Sequence, residues 1–158
     1  MLLAVILALH VVGVVLWIGG VGMATMVVLP AARAARPPSD GVRLFKIVEH
    51  RFAPLARWMV VLVGLTGIVM LWQLDLWSGF QSAAFWWLHA MVLIWLVFAT
   101  LLFVIEPFVV RRQPMSADEE TAAHRLQRLQ RVHTLLLVLS LLTIIGAVAG
   151  ARGVSPFG

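Results

Sequence analysis

Residues 2–30 read LLAVILALHVVGVVLWIGGVGMATMVVLP, and this stretch decides the fold. It contains no Asp, Glu, Lys or Arg. A helix rises about 1.5 Å per residue, so roughly 20 residues cross a hydrocarbon core of about 30 Å. This stretch is long enough with residues to spare. In lipid every backbone amide needs an internal partner, so an apolar run of this kind must be a helix. It has no basic leader, exceeds the apolar core of a signal peptide and is followed by cations, so it reads as a retained span.

Three more uncharged runs follow at 58–74, 76–105 and 132–151. The second is short, but residues 52–56 extend it, and Arg57 can snorkel its guanidinium toward the headgroups. The spacing predicts helices over approximately 2–30, 53–75, 84–109 and 126–151, with cytoplasmic loops at 31–52 and 110–125. Composition agrees: 62% of the 158 residues are hydrophobic, 12% are charged, and mean hydropathy is +1.00. So few charges cannot cover a water-soluble globule of this size. The expected fold is all-α, an integral membrane four-helix bundle forming one domain over residues 1–158.

Cations set the expected orientation. Arg33, Arg36, Arg43, Lys46, Arg51 and Arg57 lie between the first two uncharged runs, and Arg111, Arg112, Arg125, Arg128 and Arg131 between the last two. The connection at 76–83 has none. The positive-inside rule then places both basic loops in the cytoplasm and both termini on the outer, periplasmic side of a bacterial inner membrane. Trp72, Trp77, Trp86 and Trp87 fit an outer aromatic belt, with Trp58 at the inner one. The net charge of +5 is explained by these loops, so no nucleic-acid partner is implied; membrane lipid is the expected surrounding. Within the loops, Ser39 or Asp40 is placed to cap a short helix through His50. Ser116, ahead of Asp118, Glu119 and Glu120, is placed to cap the start of the fourth helix.

The chain has no cysteine and no tyrosine, which removes disulfides, thiolate metal sites and phenol chemistry. Imidazole and thioether remain as metal ligands. His10 lies about eight residues into the first span and His89 about five into the third, roughly 8–12 Å below the same surface. Two histidines at matched depth on different helices can ligate one haem iron from both faces. Gly13, Trp17 and Gly20 follow His10 along one side of the helix, where small residues would admit a macrocycle edge and Trp17 would stack on it. The same glycines, with Gly64 and Gly67, also serve close helix packing. His50 and His133 form a second candidate pair near the inner interface, for a second haem. His124 reads as a bystander. Arg57, with Glu49 and Arg51, can meet a haem propionate or a lipid headgroup. Glu106, before Pro107, reads as an interfacial carboxylate or as a partner for Arg57 or Arg111. Met23, Met26, Met59, Met70 and Met91 leave a copper(I) reading open, since thioether and imidazole suit that ion. There is no P-loop, GxSxG, HExxH or paired catalytic carboxylate, and no polar stripe for a channel.

Three segments carry a family likeness: Leu9-His10-Val11-Val12 through Trp17-Ile18-Gly19-Gly20, Phe45-Lys46-Ile47-Val48-Glu49 through Gly64-Leu65-Thr66-Gly67, and Trp87-Leu88-His89. They resemble a family of small four-helix membrane proteins that includes the HemJ-type protoporphyrinogen oxidases and, more distantly, the CopD copper-resistance domain. The resemblance implies a haem b between helices, with His10 and His89 at the family's histidine positions. The oxidase pattern has a lysine two residues after the second histidine, where this chain has Met91. The polar segment of the oxidases' fourth helix is replaced by Arg131-Val132-His133-Thr134. Haem binding is therefore carried over and the oxidase reaction is not. The leading expectation is a b-type cytochrome with one haem b or two, exchanging electrons with quinone or a redox partner protein. Alternatives are a protoporphyrinogen oxidase-like enzyme, a copper transport or resistance protein, and a non-catalytic membrane subunit; a homodimer is compatible with each.

Overall fold

The structure, a computed structural model, describes residues 1–110 and 118–154. Four helices are long and apolar enough to span a membrane: Leu2–Ala34, Pro38–Gln73, Ala83–Pro107 and Glu119–Gly150. Among the described residues there is no strand. The protein is an all-α integral membrane four-helix bundle.

The first span consists of α1 (Leu2–Met23), a π-helical turn (Ala24–Val28) and α2 (Leu29–Ala34). Then come α3 (Pro38–Gln73), two short 3₁₀ segments (Leu76–Gln81 and Ala83–Phe85), and α4 (Trp86–Thr100), which runs into a π-helical segment (Leu101–Val110). The last helix, α5, is Glu119–Gly150. At about 1.5 Å per residue, the 36 residues of α3 reach roughly 54 Å, well beyond a bilayer core.

That excess length joins the short helix expected through His50, within the loop at 31–52, to the second span. Only residues 35–37 separate α2 from α3, and the segment from Pro38 onward is helical. Val42, Phe45 and Val48 recur at three-residue spacing on one face, which packs against Val28, Leu29, Ala32, Ala122 and Leu126. The cations lie around this second core. Its closest approach is at Gly41, where an added Cβ would come within 2.0 Å of the Ala32 carbonyl oxygen. The expected caps also differ. Pro37 precedes the first turn of α3, and Ser39 instead donates its backbone N–H to Glu119 Oε2 of α5 at 2.9 Å. Asp118 caps α5 by accepting the Thr121 N–H at 3.0 Å; Ser116 lies outside the described residues, as do Arg111 and Arg112.

Within the bilayer the core comprises Trp17, Ile18, Val21, Val60, Val63, Phe98 and Leu137. Trp17 meets Phe98 edge-on, with centroids 4.8 Å apart. Helices α1 and α3 approach closely at Gly20, where a Cβ would stand 1.9 Å from the Phe52 ring.

Two helices are broken in the same way. In the first span the Leu29 N–H reaches back to Ala24 O in the π register, and Pro30 has no N–H for Thr25 O. Gln130 of α5 takes that carbonyl instead, donating from Nε2 at 3.0 Å. In the third span Pro107 cannot return an N–H to Leu102, its π-register partner. Arg57 of α3 donates from Nε to Leu102 O at 3.1 Å and pairs through its terminal nitrogen with Glu106. Neighbouring helices thus satisfy the carbonyls that the prolines release.

Candidate functional site

The histidines expected to act as pairs have separate surroundings. His10 is half-buried between α1 and α3, with Nδ1 3.0 Å from Thr66 Oγ1. Its ring lies over Gly67, where an added Cβ would be 3.4 Å from His10 Cε1. His89 is exposed; its Nε2 donates to the Phe80 carbonyl at 3.1 Å, and its ring meets Phe80 edge-on at 5.3 Å. The ring contacts of the two histidines are therefore with α3 and with the 3₁₀ segment respectively.

The other residues expected around a haem have contacts of their own. Gly13 is buried, and a Cβ there would come within 2.8 Å of Val63, so its small size serves the α1–α3 contact. Trp17 is 4% exposed and meets Phe98 edge-on, and among the described residues its Nε1 has no hydrogen-bond partner. Arg57 is held by Leu102 O and Glu106. At the other end, His50 is exposed, while His133 is half-buried, with Nδ1 donating to Leu129 O at 3.0 Å and its ring edge-on to Phe45 at 5.6 Å. His124 is exposed and 3.8 Å from Glu120. Among the described residues no three His, Asp or Glu side chains gather closely enough to hold a metal ion.

His10 is thus the intramembrane histidine with the most specific setting. Among the described residues its Nε2 has no hydrogen-bond partner, while Nδ1 is engaged. Met70 stands four residues beyond Thr66, one turn along the same face of α3, and is partly buried. An imidazole nitrogen and a thioether are donors of the kind that copper(I) accepts.

A family model for CopD, copper resistance protein D, matches residues 46–149. The chain belongs to the CopD family. No curated protein and no solved structure matches it. The CopD match takes in most of α3, all of α4 and nearly all of α5. It includes Thr66, Gly67 and Met70, together with His50, Arg57, His89, Glu106 and His133, and it leaves His10, Gly13 and Trp17 outside. Of the two likenesses expected from the sequence, the match is to the copper-resistance side.

Sequence reasoning missed Thr66 and Gln130. Thr66 had a signal, as the one hydroxyl in the uncharged run at 58–74. Gln130 had none, since nothing in its surroundings shows that it reaches a carbonyl 105 residues away.

Proposed function

We propose that this chain handles copper in the membrane, in resistance or transport, and that His10 is the contact for copper(I) between α1 and α3. The CopD match over residues 46–149 carries the reading. The donor chemistry supports it: with no cysteine in the chain, imidazole and the softer thioether are the donors suited to copper that remain. His10 offers Nε2, and Met70 is the thioether one turn from the residue that holds His10. The distribution of cations supports a cytoplasmic membrane location with the His10 end facing outward. Copper is here cargo, and the haem b and quinone expected from the sequence are not needed by this reading.

Loading detergent-purified protein with copper(I) under anaerobic reducing conditions tests the proposal. Stoichiometric copper should survive desalting in wild type and be lost in His10→Ala, and expression should alter copper tolerance of a copper-sensitive host. Copper retention no better than that of an unrelated four-helix membrane protein, with unchanged tolerance, refutes it. A sharp reduced α-band after expression with ample haem would favour the b-type cytochrome instead.

A further inference from the structure

We propose that Thr66 is a positioning residue that fixes the tautomer of His10 and so presents Nε2, and not Nδ1, to the metal. The inference rests on the copper reading of His10 for its purpose, but not for its geometry. Thr66 Oγ1 is 2.6 Å from the Leu62 carbonyl and 3.2 Å from that of Val63, each an acceptor only. The single hydroxyl proton is therefore spent within α3, and toward His10 the oxygen can only accept. At 3.0 Å from that oxygen, Nδ1 must carry the ring proton. A neutral imidazole protonated at Nδ1 has its lone pair on Nε2, the nitrogen with no partner among the described residues.

Thr66 is 8% exposed on a membrane helix. A hydroxyl bonded to the carbonyl four residues back serves its own helix; this one serves a second helix as well. A donated N–H opposite the ligating nitrogen is how proteins orient a histidine and raise its basicity toward a metal. Gly67 leaves room for the ring, since an added Cβ there would stand 3.4 Å from His10 Cε1.

The test begins with the metal-free protein. Nitrogen-15 NMR of labelled imidazole, with His10→Ala to assign the signal, should show His10 protonated at Nδ1 and bare at Nε2. Thr66→Val keeps the shape and removes the acceptor, so the Nε2–H form should become populated. Copper(I) affinity should then fall about 10–100-fold, the usual effect of losing such a partner. Thr66→Ser should restore both the tautomer and the affinity. Wild-type His10 protonated at Nε2 overturns the proposal even if no variant folds. So does a folded Thr66→Val protein with an unchanged tautomer and an affinity within about twofold of wild type, set against that range. If the tautomer responds as described but no form binds copper, the copper reading fails and the positioning role of Thr66 stands.

Discussion

Replacing Arg57 with methionine should be among the most damaging single changes in the bundle. The substitution keeps a flexible apolar stem and removes the guanidinium, which takes away two things. Leu102 O loses the donor that stands in for Pro107, and an unsatisfied buried acceptor costs about 1–3 kcal/mol. Glu106 loses its pairing with Arg57, and removing one member of a buried pair costs about 3–5 kcal/mol. These ranges overlap and do not simply add. Arg57 also keeps a quarter of its side-chain surface exposed, so water and headgroups relieve part of the loss. We therefore expect about 3 kcal/mol, near the lower end of the buried-pair range, or roughly a hundredfold in the folding equilibrium. Gln130→Leu provides the scale, since it removes a neutral bond to the equivalent carbonyl of the first span. Interhelical bonds of that kind in membranes average about 0.6 kcal/mol, and the loss should be about 1 kcal/mol or less. Reversible unfolding in mixed micelles, followed through the seven tryptophans, measures both. A cycle with Glu106→Gln should show coupling of at least about 1 kcal/mol. An Arg57→Met loss no larger than that of Gln130→Leu, or a cycle without coupling, would refute the account of the proline break.

Three glycines should rank by what surrounds them. Gly41→Ala should destabilise most, because its Cβ would strike the Ala32 backbone; Gly20→Ala should cost about 1–3 kcal/mol, since the Phe52 ring can give way; Gly19→Ala, with open space around it, should be neutral or slightly stabilising. Thermal unfolding of the three variants checks the order. The Asp118 carboxyl is held below the ordinary carboxylate range by the Thr121 side chain and N–H, so its contribution is present above that range and is lost as pH falls through it and below. Amide exchange at Thr121 should accordingly accelerate in acid relative to the middle of α5, and Asp118→Ala should abolish that acid dependence. His89→Ala should leave copper(I) affinity within about twofold of wild type, far from the 10–100-fold scale of a ligand's own partner, because its ring bonds Phe80 and not the His10 setting; equilibrium competition against a copper(I) chelator reads this.

The four spans were legible because uncharged length is a direct requirement of the bilayer. The extension of α3 beyond the length of a bilayer core was less so. A short helix through His50 was expected there, but not its continuation into the second span, because the partner surface of Val42, Phe45 and Val48 lies on other segments. Counting residues from the membrane surface gave His10 and His89 the same depth, but depth does not fix the direction a side chain faces. His10 faces α3, and the contacts of His89 are with Phe80. The two prolines were visible, and kinks at them follow from the missing N–H. Which side chains would receive the released carbonyls was not visible, because Arg57 and Gln130 are distant in sequence from Leu102 and Thr25.

The paired breaks bear on how the protein is assembled as it is made. The third span enters the membrane after α3, so Arg57 is already in place when Leu102 arrives. The first span enters long before Gln130 has been synthesised, and Thr25 O must wait for α5. A nascent chain stopped after α3 should hold its first helix loosely at Pro30, where a chaperone or translocase could still reorient it. Arrival of the last helix then fastens the first, so the chain closes on itself in the order in which it is translated.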